Sequence, residues 1–209
     1  MTLASLFAIR GLTVAGTREA TGQTQISGIG EAVSGDLLVS VFDGRVFGVS
    51  VSILWWVCLT LLSAWFLNRT RFGNWIYATG GDLESATRAG VPVRRVKLIL
   101  FTGTAAAAAL VGVLAMFQVD SADVTRGNLK EFQTATATVI GGTLLSGGYG
   151  SPIGTFFGAL LFGMVSQGFF FTNVSDDWFQ AFLGIALLVA VLVNTYTRKY
   201  ALSRQAGEP

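Results

Sequence analysis

The sequence predicts an all-α fold, a polytopic transmembrane helix bundle with one short capped helix on the cytoplasmic side and one short or broken membrane helix. Three observations predict it. Of 209 residues, 52% are hydrophobic and only 12% charged, with a positive mean hydropathy, whereas about a quarter of an ordinary soluble domain is charged. The charges are gathered between uncharged runs long enough to cross a hydrocarbon core of about 30 Å. Glycine and proline interrupt the one uncharged run that is too long for a single helix. Residues 1–209 read as a single transmembrane domain.

The spans follow in order. Val46 to Leu67 is uncharged and bounded by Arg45 and Arg69, about 30 Å of helix at 1.5 Å per residue. Leu98 to Val119 lies between Lys97 and Asp120; its alanine run, Ala105 to Ala109, with Gly103 and Gly112, permits close helix packing in lipid. Phe132 to Ser175 carries no charge. It is broken by "GGTLLSGGYGSPIG", Gly141 to Gly154, whose glycines and Pro152 interrupt regular structure. A short membrane helix is therefore expected at about Phe132 to Leu145, and a full span from about Ile153 to Asn173. Trp178 to Thr197 is the last span, entered through Asp176 and Asp177 and left through Arg198 and Lys199.

The bases orient the bundle. Arg69, Arg71, Arg88, Arg94, Arg95 and Lys97 fall in one loop, and Arg198, Lys199 and Arg204 in the tail, so both are expected on the cytoplasmic side. The opposite loops, Arg18 to Arg45, Asp120 to Glu131, and Asp176 with Asp177, carry more acids than bases. Parity then requires the short Phe132 segment to reach from the outer side toward the inner one. At the amino end, Met1 to Thr17 is apolar apart from Arg10 and is barely long enough to span. It lacks the basic region of a signal peptide. Arg10 either snorkels to carbonyls or faces a polar pathway.

Several classes are excluded. A net charge of +2 is too small to indicate nucleic acid. The single cysteine, Cys58, sits beside Trp55 and Trp56, and there is no histidine, so neither disulfides nor zinc organise the fold. No cofactor is expected. A membrane-embedded enzyme would need acids, histidines or cysteines facing a cavity, and nearly every acid lies in a loop. No glycine-rich loop ends in Lys-Ser or Lys-Thr, so the chain has no phosphate cradle.

One hydrophilic stretch stands out, "YATGGDLESATRAGV", Tyr77 to Val91. Asp82 can cap the amino end of a short helix, Leu83 to Ala89, and Gly90 suits the left-handed position that ends one. Two turns are not stable alone, so this helix needs a surface to lie in. Leu83 and Ala86, three apart on one face, are the apolar pair that would meet it. The plainer alternative is a connector between two spans.

At these residues the chain resembles a known family. "RTRFGNWIYATGGDLESATRAGVPVRRVKL", Arg69 to Leu98, followed by "ATVIGGTLLSGGYGSPIGTFFGAL", Ala137 to Leu160, is similar to the carboxy-terminal half of the ribose/xylose-type sugar permeases of bacterial ABC importers. The resemblance implies that residues 77–91 form a coupling loop docking into a groove of a cytoplasmic ATPase subunit, through Gly80, Gly81, Asp82, Leu83, Glu84, Ala86, Arg88, Ala89 and Gly90. Family members more usually have Asn at the place of Asp82 and an alanine pair at Ser85 and Ala86. It further implies a periplasmic sugar-binding protein on the outer face, a second permease subunit, and a place in the bacterial inner membrane with the carboxy terminus cytoplasmic. Relative to that family the chain is expected to be truncated at its amino terminus.

A pathway for a neutral sugar needs weak hydrogen-bonding surfaces near the midplane. Gln133, Thr134, Thr136 and Thr138, with Gly141 and Gly142, are the candidate lining; Thr134 and Thr138 share a helical face. Equally, these hydroxyls can bond to their own helix carbonyls or across a helix interface. Phe169, Phe170, Phe171 and Trp178 read as membrane-interface anchors. The competing reading of the whole chain is an inactive permease remnant or a non-enzymatic membrane scaffold.

Overall fold

The computed structural model describes residues 2–28, 42, 44–46, 48–172 and 176–205. In chain order the elements are α1 (Thr2–Thr21), β1 (Gln25–Ser27), β2 (Arg45–Val46), β3 (Val49–Ser50), α2 (Val51–Arg69), α3 (Arg71–Gly81), α4 (Leu83–Arg88), α5 (Val93–Gln118), β4 (Ser121–Asp123), α6 (Lys130–Ile140), α7 (Pro152–Phe171) and α8 (Asp176–Gln205). Helix dominates, and among the described residues four helices are long and apolar enough to cross a membrane: α2, α5, α7 and α8. The strands are two-stranded ribbons, β1 with β4 and β2 with β3, both antiparallel.

Most expected spans are present with shifted ends. Helix α5 starts at Val93 rather than near Leu98, because a helix need not stop where its side chains become charged. Arg94, Arg95 and Lys97 ride on its first turns, exposed. The short membrane helix ends at Ile140, not Leu145: Gly141 closes it and Gly142 follows at φ +84°, a left-handed conformation that glycine adopts without steric cost. Helix α7 starts one residue earlier than expected, with Pro152 in its first turn and Ser151 accepting the Gly154 amide at 3.3 Å, as proline and an N-cap serine favour. Helix α1 is longer than the apolar run, reaching Thr21. The Asn173 end of the fourth span and residues 29–41, in the loop expected on the outer side, lie outside the described residues.

The chain forms two compact units, Met1–Val57 with Leu100–Asn128, and Cys58–Ile99 with Leu129–Pro209. In the first, β1 and β4 pair Gln25 with Asp123 and Ser27 with Ser121, bringing the loops after α1 and α5 to one side. Arg126 anchors this corner. Its guanidinium donates to the Ala115 and Ser121 carbonyls at 3.2 and 2.8 Å and to the Ser121 hydroxyl at 2.7 Å, tying the last turn of α5, where carbonyls lack helical partners, to β4.

In the second unit α6 packs against both α7 and α8. Ala137, Phe162 and Leu183 form the buried cluster, with Ala159 and Phe179 against it. The α6–α7 crossing is close enough that a side chain on Gly158 would meet the Ala137 carbonyl, and one on Gly141 would come 2.5 Å from the Gly154 carbonyl. Glycine is required there because backbone meets backbone.

Candidate functional site: the capped loop helix and the turn it rests on

The loop from 70 to 92 is more structured than its composition suggests. Thr70 turns the chain out of α2: its hydroxyl accepts the Gly73 amide at 3.1 Å and donates to the Phe66 carbonyl at 2.6 Å. Helix α3 then runs to Gly81, an element that the sequence reading did not anticipate.

Asp82 separates α3 from α4 in extended geometry and serves both. Its amide donates to the Ala78 carbonyl, while its carboxylate accepts the Glu84 and Ser85 amides at 3.0 and 3.4 Å and the Ser85 hydroxyl at 2.6 Å. The Ser85 hydroxyl foremost, then the Ser85 and Glu84 amides, hold this carboxyl below the usual carboxylate range. At the other end Gly90 has φ +80°; its amide reaches the Thr87 carbonyl at 3.0 Å and the Val91 amide the Ala86 carbonyl at 3.0 Å. That is a Schellman closure. The six-residue helix α4 is thus capped at both ends, as expected from Asp82 and Gly90.

The faces of α4 differ from the expected pairing. Ala86 is buried, 3% exposed, so it seats the helix on its own chain, whereas Leu83 is 48% exposed. Leu83 is the available apolar side chain. Glu84 and Arg88 form an ion pair at 2.6 Å, both largely exposed. Gly81, Asp82, Ala89 and Gly90 are also exposed, and Gly80 is half-buried.

What the carboxy end of α3 rests on is the second glycine-rich motif. The Tyr77 hydroxyl donates to the Gly150 carbonyl at 2.9 Å. A side chain on Gly80 would come 2.6 Å from the Gly148 nitrogen, and one on Gly148 would come 2.6 Å from the Gly81 Cα. The two quoted motifs therefore meet in space. Helix α6, eleven residues, is about 16 Å long at 1.5 Å per residue. The turn is closed by the Leu144 amide on the Tyr149 carbonyl and the Gly147 amide on the Leu144 carbonyl, at 3.1 and 3.0 Å. It is tied to the helices through Thr143, whose hydroxyl lies 3.3 Å from that of Thr155 and whose carbonyl accepts the Asn194 amide group at 3.3 Å.

The other candidate residues lie along α6. The hydroxyls of Thr134, Thr136 and Thr138 donate to the carbonyls of Lys130, Phe132 and Thr134 at 2.7, 2.8 and 2.7 Å. Each keeps acceptor capacity. Thr136 is fully buried, Thr134 exposed and Thr138 half-buried, and the Gln133 amide oxygen accepts from Lys130 at 3.0 Å. A cavity of about 180 Å³ lies between α6 and α8, lined by Leu129, Phe132, Thr136, Gln180, Leu183, Gly184 and Leu187. It is mostly apolar and touches none of Thr134, Thr138, Gly141 or Gly142.

The model of a family described as the branched-chain amino acid transport system permease component matches residues 1–191. The chain belongs to this permease family. Among its relatives, the ribose import permease protein RbsC of Escherichia coli (strain K12) is 34% identical over 195 residues, 92% of this chain and 59% of that protein. The fructose import permease protein FrcC of Rhizobium meliloti is 36% identical over 156 residues, 74% of this chain and 42% of that protein. The xylose transport system permease protein XylH of Escherichia coli (strain K12) is 34% identical over 152 residues, 73% and 39%. The matched part of the chain thus spans less than two thirds of these curated relatives. No solved structure matches it. Family membership and the four apolar helices together make this a multi-pass membrane protein.

Proposed function

We propose that this chain is a transmembrane permease subunit of an ABC importer for a simple sugar, a pentose, hexose or polyol, in the bacterial inner membrane with its carboxy terminus cytoplasmic. Relatives named as ribose, fructose and xylose permeases support the substrate class. The observation that carries the mechanism is the exposed helix α4, capped by Asp82 and Gly90 and seated on its own chain through the buried Ala86. A connector needs neither caps nor a seat. In this reading the α4 segment, residues 80–90, docks a separate cytoplasmic ATPase, and a periplasmic binding protein delivers sugar to the outer face. A second permease subunit completes the assembly. ATP and loaded binding protein favour different arrangements of the helices, and that difference drives transport.

The pathway is proposed along the Thr134 and Thr138 face of α6, with Gln133, Gly141 and Gly142. Hydroxyls already donating to their own helix offer a sugar acceptors of modest strength, suited to passage rather than retention.

The test is co-purification of the chain with its cognate ATPase, followed by sugar-stimulated ATP hydrolysis in the importer that contains it. Binding and stimulation are expected. An inactive remnant or scaffold would give neither.

A further inference from the structure

Resting on the reading of α4 as the ATPase contact, we propose that the glycine turn 147–150 is the relay that carries displacement of α4 into the helices α6, α7 and α8. The contact is made of main chain. Gly80 and Gly81 face Gly147 and Gly148 so closely that a Cβ on Gly80, Gly147 or Gly148 would stand 2.6 or 2.7 Å from backbone atoms opposite. Side chains could absorb a shift by changing rotamer. Backbone against backbone cannot, so a movement of the α3–α4 junction displaces the turn.

The turn sits where α6 ends and before α7 begins, and its Thr143 is bonded to Thr155 of α7 and Asn194 of α8. The tight α6–α7 crossing at Gly141, Gly154 and Gly158 makes those two helices move together. Displacement therefore reaches α6, which carries the proposed pathway residues. Tyr77 guides the contact through its bond to Gly150. Positive φ at both Gly147 and Gly148, +84° and +78°, shapes the turn so that it presents its backbone to Gly80.

The experiment is hydrogen exchange on the full chain in nanodiscs with and without its cognate ATPase, paired with sugar uptake by the importer in proteoliposomes. In the unaltered chain, ATPase binding is expected to slow exchange at 83–89 and also at 143–150, where the Leu144 and Gly147 amides report the turn. In Gly148→Ala, whose added Cβ would stand 2.6 Å from the Gly81 Cα, protection at 83–89 should persist while that at 143–150 disappears, and uptake should fall at least tenfold with ATPase co-purification within twofold of the parent. Gly81→Ala should lose less, since a Cβ there stands 3.8 Å from its neighbour. Should Gly148→Ala not accumulate, Tyr77→Phe, which removes one hydrogen bond and little volume, is expected to weaken protection at 143–150 and lower uptake two- to tenfold. Protection confined to 83–89 in the unaltered chain, or full uptake with undiminished protection at 143–150 in the variants, overturns the relay while leaving the ATPase contact standing. Absence of protection at both segments removes the contact itself, and the relay with it.

Discussion

Replacing Leu83 with Asp tests the coupling role where the structure allows a magnitude to be worked. Full burial of a leucine side chain is worth about 1.5–3 kcal/mol, and Leu83 is 48% exposed. Roughly half of that remains to be gained on docking, so Leu83→Ala should weaken ATPase binding about 3- to 12-fold at 1.4 kcal/mol per decade. Leu83→Asp also forces a carboxylate into an apolar groove, which costs roughly 2 kcal/mol or more; the combined loss is about 100-fold or greater. The helix itself should survive, because Leu83 is the first residue of α4 and an acid there complements the amino end of a helix. Arg88→Ala should change binding less than fivefold, since its ion pair with Glu84 is exposed. The assay is biolayer interferometry of the cognate ATPase on the nanodisc-embedded chain. Leu83→Asp binding within twofold of the parent would refute the reasoning and leave α4 a connector.

Other predictions follow from the same geometry. Asp82→Ala should speed exchange at the Glu84 and Ser85 amides. Because folding depresses the Asp82 carboxyl, the cap is fully present above the ordinary aspartate value near 3.8 and lost only as pH falls through its lower folded one. Exchange at those amides, corrected for intrinsic rate, should therefore be flat between about pH 5 and 8. With Cys58 replaced by Ser, Ser85→Cys should be shielded from an impermeant thiol reagent in intact cells, and Asn128→Cys should react; labelling of Ser85→Cys from outside would invert the proposed orientation. Asn128 is chosen because it is exposed, whereas Ser121 is buried. Thr138→Val in the importer should lower sugar uptake severalfold with assembly intact; unchanged uptake across Thr134, Thr136 and Thr138 variants would assign these hydroxyls to their helix alone.

Local chemistry was readable in the residues, and contacts between distant segments were not. Asp82 and Gly90 mark the ends of α4 because capping depends on neighbours two to four positions away. The spans were legible from hydropathy, but their ends were not: Val93 to Lys97 is helical although charged, since backbone hydrogen bonding continues past the apolar boundary. Helix α3 was hidden by its own composition. Gly73, Gly80 and Gly81 argue against helix by propensity, and the Thr70 cap together with the seat on residues 147–150 overrides them. The spacing of Leu83 and Ala86 gave a shared face but not which part of it the chain would cover. Likewise both glycine pairs were visible, yet nothing in one sequence says that Gly80 touches Gly148.

The four spans bury few residues: at most 11% of the residues in each apolar window are buried, and Phe101, Val111, Leu161 and Met164 stand open. The surroundings of those side chains are lipid, detergent or another polypeptide. A melting temperature recorded on the solubilised chain will consequently depend on the amphiphile around α5 at least as much as on the packing of α6 with its neighbours. Exchanging one detergent for another of different chain length should move the transition where a conservative apolar substitution on α5 does not.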